Sequence, residues 1–192
     1  MFELITEAII DHQKVVKDIE NSISDINRIS EMVLRALQNK KKILLFGNGG
    51  SASDSQHIAA EIVGRFEKNR GPLPAVALTT DTSILTSIAN DFSYEEIFSR
   101  QVDALAESGD IVIGFSTSGK SKNVINGIKA AKKIGCTTIG FLGRSGEDLG
   151  KICDACLLIN SDSTARIQEC HIFVGHILCK IIDSEFTNSK VF

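Results

Sequence analysis

Two stretches of this 192-residue chain concentrate glycine, hydroxyl and amide groups more densely than a turn needs. GNGGSASD, from Gly47 to Asp54, carries glycines whose bare backbone lets N–H groups approach an anion closely. STSGKS, from Ser116 to Ser121, sets four hydroxyl side chains around one glycine. Each follows a short apolar run and opens a helical pattern, so the positive end of a helix adds to the donors. Such a cradle suits a phosphate monoester. Helix capping explains one of these hydroxyls or two, but not four in six residues. The first stretch does not match GxGxxG, and the spacing of Gly114, Gly119, Lys120 and Ser121 fits GxxxxGK[ST] only with its first glycine inside the apolar run, so no nucleotide cofactor is expected.

Downstream of the first stretch, His57 and Glu61 are four residues apart and project from one face of a helix. A late segment, RIQECHIFVGHILC, holds Gln168, His171 and His176. Gln168 and His176 differ by only ~80° in direction but lie ~12 Å apart along a helix axis. They meet at one site if both lean inward, or they serve sites shared between subunits. A His-Glu pair at this spacing is common by chance, and its company gives it weight: its helix starts at a phosphate-style loop.

A phosphate grip, a carboxylate and an imidazole are equipment for moving a proton between adjacent carbons of a sugar phosphate. The carboxylate removes the proton beside the carbonyl, giving an enediol, and an acid on the other side manages the oxygen proton. Holding the remote phosphate positions the reacting carbons and excludes water. His57, Glu61, Gln168 and His176 also make an oxygen and nitrogen set suited to a divalent ion such as zinc.

These residues need a scaffold, and the apolar pattern supplies one. From Phe2 to about Lys40 apolar residues recur at helical spacing with a break at Asn21-Ser22, which predicts two helices before any strand. KKILLFG (Lys41 to Gly47) reads as a strand, followed by a helix to about Phe66. PAVALTT is a second strand, with helices through Thr82 to Ala106 interrupted near Asn90-Asp91. DIVIGFS (Asp110 to Ser116), TTIGFLG (Thr137 to Gly143) and ACLLIN are three more, with a helix from about Ser121 to Ile134 and a last one from about Thr164 to Phe186. Strands that are apolar throughout are buried on both faces, and the intervening helices cover them. The expected fold is α/β: a doubly wound, five-stranded parallel sheet flanked by helices, in one domain over residues 1–192 with a helical extension over 1–40.

The bulk properties narrow the function classes. A formal net charge of -3, with Lys and Arg scattered along the chain, gives nucleic acid nothing to grip. No stretch approaches the ~18 to 20 apolar residues of a membrane span, and the N-terminus lacks the basic start of an export signal. The expectation is a cytoplasmic protein with no nucleic-acid or membrane partner. The cysteines (Cys136, Cys153, Cys156, Cys170, Cys179) sit mostly in apolar runs and read as free thiols. Cys153 and Cys156 form a CxxC without a second pair, at the entry to a strand, so zinc or redox chemistry is not expected there.

GNGGSASDSQHIAAEIVGRF, LTTDTSILTSIANDFSYEEIFSRQV, DIVIGFSTSGKSKNVINGIKAAK and ARIQECHIFVGHILC together resemble the phosphoheptose isomerases, enzymes built on the sugar isomerase (SIS) domain. The resemblance spans nearly the whole chain. It implies a homotetramer with active sites at subunit interfaces, the N-terminal helices contributing to its packing. It further implies conversion of sedoheptulose 7-phosphate to a mannoheptose 7-phosphate, early in making ADP-heptose or GDP-heptose for lipopolysaccharide or capsule. By position, Glu61 corresponds to the family's general base and His176 to its partner acid. His57, Glu61, Gln168 and His176 correspond to the ligands of one zinc per subunit. Asn48, Gly49, Ser51, Glu61, Asp91, Ser116, Thr117, Ser118, Ser121 and Gln168 correspond to substrate contacts, with Arg65 close by. Lys120 stands where Asn is frequent, and Ala165 where some members have Asp.

Three other readings share the fold pattern. A noncatalytic relative binds the bacterial replication initiator but lacks the paired glutamate and late histidine, which are Glu61 and His176 here. A regulatory SIS module carries a helix-turn-helix domain, for which the residues before the first strand are too few. An isomerase or aldolase for another phosphosugar would use the same phosphate loops, because those loops do not read chain length.

Overall fold

The computed structural model describes residues 1–187. It opens with α1 (Phe2–Asp18), a 3-10 turn (Ile19–Ser22) and α2 (Ile23–Gln38), so the break falls where Asn21-Ser22 predicts it. Then come β1 (Ile43–Gly47), α3 (Gly50–Val63), β2 (Ala75–Ala77), α4 (Thr82–Asp91) and α5 (Ser99–Leu105). The chain continues through β3 (Ile111–Ser116), α6 (Lys122–Ile134), β4 (Thr137–Gly143), α7 (Glu147–Gly150), β5 (Ala155–Ile159) and α8 (Thr164–Phe186). Short 3-10 turns at Tyr94–Glu96 and Arg144–Gly146 join α4 to α5 and β4 to α7.

All strand pairings are parallel, in the order β2-β1-β3-β4-β5. The alternation of side chains along each strand divides the core in two. Ile43, Leu45, Ile111, Ile113, Phe115, Ile139 and Phe141 face α1, α2, α3 and α8. Leu44, Phe46, Val112 and Leu142 face the α4 to α7 side, where Phe46 stacks on Phe98. Every residue of β1 and β3 is buried, which is why those segments read as unbroken apolar runs.

Local chemistry sets the boundaries. Asp81 caps α4 by accepting from Ile84 N at 2.9 Å. Gly135 ends α6 in the left-handed conformation, φ 89°. The second strand is shorter than PAVALTT suggests: pairing with β1 ends at Ala77, and the Thr80 hydroxyl turns back to the Ala77 carbonyl. The short helical segment over Arg144–Gly150 has no counterpart in the sequence reading, because its RSGED lacks apolar periodicity.

One polar group lies deep in this core. His171, on the sheet-facing side of α8, has no exposed surface and sits edge-on to both Phe115 and Phe141. Neither ring nitrogen has a hydrogen-bond partner of acceptable geometry. Burial pushes its pKa from 6.5 down to about 4, opposed only in part by the nearby Leu142 backbone. Between those values the unfolded chain binds a proton that the folded chain refuses, so stability falls as pH drops from 6.5 towards 4. The cost is at most roughly 3 kcal/mol. Urea unfolding followed across that range should show the loss in the wild type and a flatter profile in His171→Phe.

Candidate active site

In a sheet ordered 2-1-3-4-5 the chain reverses direction of growth between β1 and β3, and the crevice beyond their carboxyl ends is the natural ligand site. The loops after β1 and β3, the two phosphate-style stretches, flank that crevice. Gly49 caps α3 with φ 57° and ψ -123°, a conformation open to glycine, and a side chain added there would meet nothing within 4 Å. The space beside the first turn of α3 is therefore open. Across the crevice, Ser121 is the N-cap residue of α6, yet its side chain makes no cap hydrogen bond. Its hydroxyl lies 3.2 Å from that of Ser116 instead. Capping thus does not consume the Ser121 hydroxyl.

Ser118 accepts from the Lys120 backbone N–H, and its own carbonyl accepts from the Ser145 hydroxyl, so the segment after β4 walls the second loop. Thr117 lies at the close contact with Gly143 in that wall. Ser51 is buried at the start of α3. Asp91 ends α4 and accepts from Asn90 Nδ2 at 2.9 Å. Arg65 and Ala165 are exposed.

The second part of the site forms where α3 and α8 run side by side. Gly175 lets them approach: a Cβ there would sit 2.5 Å from Ile58 Cδ1. One residue either way along both helices, His57 and His176 come together, with their Nε2 atoms 3.4 Å apart. His57 Nε2 is also 3.3 Å from Glu61 Oε1. Phe66 stacks on His176, with ring centroids at 5.3 Å. His57, Glu61 and His176, distant in sequence, thus form one cluster within a single chain.

Gln168 does not join them directly. Two turns earlier on α8, its Nε2 donates to Asp54 Oδ1 at 2.6 Å. Asp54 is buried, and its Oδ2 has no partner. Burial raises its pKa to about 6, opposed by the Gln168 hydrogen bond and by nearby His57. Sequence reasoning passed over Asp54, although it closes the GNGGSASD stretch. The glutamate end of α3 also stands well away from the loop end: eleven residues separate Gly50 from Glu61, ~16 Å along the axis.

A clamp fixes this geometry from behind. Arg70 and Asp183 form a fully buried ion pair at 2.8 Å. The Arg70 guanidinium also donates to the carbonyls of Glu61, Ile62 and Gly71, capping the end of α3. Asp183, two turns beyond His176, accepts from the backbone N–H groups of Glu67 and Lys68. Burial alone would raise the Asp183 pKa, but these donors and Arg70 hold it below the ordinary range. At the other end of α8, Arg166 donates to the Ala8 carbonyl and pairs with Glu169, which also meets His12.

Two donor separations in the cluster match a metal site. A tetrahedral ion with bonds of about 2.0–2.1 Å keeps its ligand atoms roughly 3.4 Å apart. The 3.4 Å between the two imidazole nitrogens and the 3.3 Å from His57 to Glu61 agree. Among the described residues, however, no group of three or more His, Cys, Asp or Glu is already arranged to hold an ion. Gln168, facing Asp54, leaves the expected four-donor set incomplete in one chain. The cysteines are free, as expected, and burial pushes the Cys153 thiol up to about 12 and raises Cys156. Their thiolates are therefore disfavoured. No described helix is long and apolar enough to cross a membrane.

The family model of the SIS domain matches residues 9–143. A phosphoheptose isomerase from a Nitratiruptor species is 51% identical over 187 residues, covering 97% of this chain and 100% of the relative. The solved phosphoheptose isomerase of Neisseria gonorrhoeae superposes with a TM-score of 0.90 at 41% identity, covering 95% of this chain and 98% of that one. The sugar isomerase domain of a Sphaerobacter thermophilus RpiR transcription factor superposes at 0.70 with 16% identity, over 96% and 92% of the chains, which is a likeness of fold alone.

The clamp can be tested by cutting it. Asp183→Ala strands a buried guanidinium and should lower stability by about 3–5 kcal/mol in urea unfolding. The apolar pair Arg70→Met with Asp183→Leu should recover none of that loss, because the carbonyls of Glu61, Ile62 and Gly71 and the N–H groups of Glu67 and Lys68 then lose their partners.

Proposed function

This chain belongs to the SIS domain family, among the phosphoheptose isomerases, and we propose that it interconverts D-sedoheptulose 7-phosphate and D-glycero-D-manno-heptose 7-phosphate. The observation that carries the reading is the cluster of Glu61, His57 and His176. A carboxylate held beside two imidazoles, on helices that begin at or run past a phosphate-accepting crevice, suits proton transfer between C1 and C2.

Glu61 takes the C1 proton of the ketose, and the electron pair moves into a C1–C2 double bond. His176 protonates the developing oxygen at C2, so an enediol forms without a free enolate. Glu61 then returns its proton to C2 while His176, left as the base, takes the O1 proton; the C1–O1 double bond forms, the C1–C2 double bond is lost, and both groups return to their starting states. The phosphate, held at the Ser116–Ser121 and Gly49 loops, fixes the chain during both steps. Asn48, beside Gly49, turns its amide to the same phosphate, and Ser51, Asp91 and Gln168 supply contacts to the hydroxyls between.

Within one chain, ~16 Å of helix axis separates the loop end of α3 from Glu61. This separation supports sites completed by a second copy of the chain, in a homotetramer. Solvent-exposed apolar side chains on α1, among them Phe2, Leu4, Ile5, Ile9 and Ile10, support the same assembly. His57, Glu61 and His176, with a Gln168 amide oxygen, would hold one zinc per subunit, and a bound zinc would supply Lewis acidity towards the carbonyl oxygen. The product would feed ADP- or GDP-heptose synthesis in the cytoplasm.

Glu61→Gln should lower turnover of sedoheptulose 7-phosphate by about 10³-fold or more and abolish deuterium exchange at C1 and C2. Light scattering should find its assembly unchanged. Near-normal exchange in that variant removes Glu61 from the mechanism. Elemental analysis of chelator-free preparations should find zinc in the wild type and little in His57→Ala; equal contents would exclude His57 as a ligand.

A further inference from the structure

The crevice between the two loops is bridged by a pair of amides whose orientation is dictated by the backbone. Asn123, on the first turn of α6, is buried. Its Oδ1 accepts from the Val124 N–H at 2.9 Å, and a peptide N–H cannot exchange roles. That bond fixes which end of the Asn123 amide is oxygen. Asn123 Nδ2 must then face Asn48, where it donates to Oδ1 at 2.8 Å. In return Asn48 Nδ2 donates to Asn123 Oδ1 at 2.9 Å. The Tyr94 hydroxyl adds a second donor to Asn48 Oδ1 at 3.0 Å.

Both lone pairs of the Asn48 carbonyl are thereby occupied, and only one N–H of its amide is left for a ligand. An anion needs a donor and is repelled by a carbonyl oxygen. We propose that Asn123, with Tyr94, is a positioning residue that locks the Asn48 amide with its acceptor turned inward, so that Asn48 presents only its N–H to the substrate phosphate. The proposal rests on the reading of the two loops as a phosphate cradle. Neither residue need touch substrate: without Asn123 the Asn48 amide can flip, and the loop after β1 loses its tie to the start of α6.

The test uses the full-length protein and inorganic phosphate as the probe, with calorimetric titration and steady-state kinetics read together. Asn123→Ala should weaken phosphate binding about tenfold and raise KM for sedoheptulose 7-phosphate similarly, with kcat changed less than about threefold. Tyr94→Phe, at an exposed position, should act in the same direction by about two- to threefold. A cycle of Asn48→Ala, Asn123→Ala and the double variant should be non-additive, the double variant binding phosphate no worse than Asn48→Ala. Additive losses, or unchanged phosphate affinity in Asn123→Ala and Tyr94→Phe, overturn the proposal. Should Asn123→Ala fail to fold, Tyr94→Phe decides alone. A wild type that binds no phosphate overturns the cradle itself, whereas a wild type that binds it beside indifferent variants overturns only the lock.

Discussion

The close approach of α3 to α8 is the constraint on which the rest of the molecule turns. Glu61 and His57 belong to one helix and His176 to the other, and neither helix alone holds a reactive arrangement. Gly175 removes the side chain that would keep them apart, and the Arg70–Asp183 pair stops them from sliding. A buried ion pair is a costly way to gain stability, since desolvation cancels most of the attraction. It is a good way to gain registration, because a guanidinium gripping three carbonyls and a carboxylate fits in only one place.

The sheet performs the matching task at the other end. Its order places β1 beside β3, so two loops far apart in sequence open on one crevice. The juxtaposition of the two loops thus depends on strand order, and that of His57, Glu61 and His176 on helix packing. One chain carries both features, on opposite ends of α3.

Much of this was legible in the residues. The apolar runs of β1 and β3 gave themselves away because both faces are covered, and the last helix shows the same bounds in pattern and structure. The His57–Glu61 spacing and the hydroxyl-rich loop were equally plain. What the pattern hid is long-range polar pairing. Arg70 and Asp183 are 113 residues apart, and Asn48 and Asn123 are 75 apart. Asp54 looks like a loop acid until Gln168 folds over it. No periodicity records such partners, since hydrogen bonds across a fold leave no local signature. The resemblance names Asn48 as a substrate contact, but only the coordinates show its carbonyl already engaged.

Tyr94 carries one more consequence. The chain has a single tyrosine and no tryptophan, and that phenol hydrogen-bonds the loop beside the crevice. Ultraviolet emission excited above the phenylalanine band therefore arises from one spot, and that spot adjoins the crevice. The protein thus carries a built-in optical reporter of the surroundings of Asn48, with no attached dye.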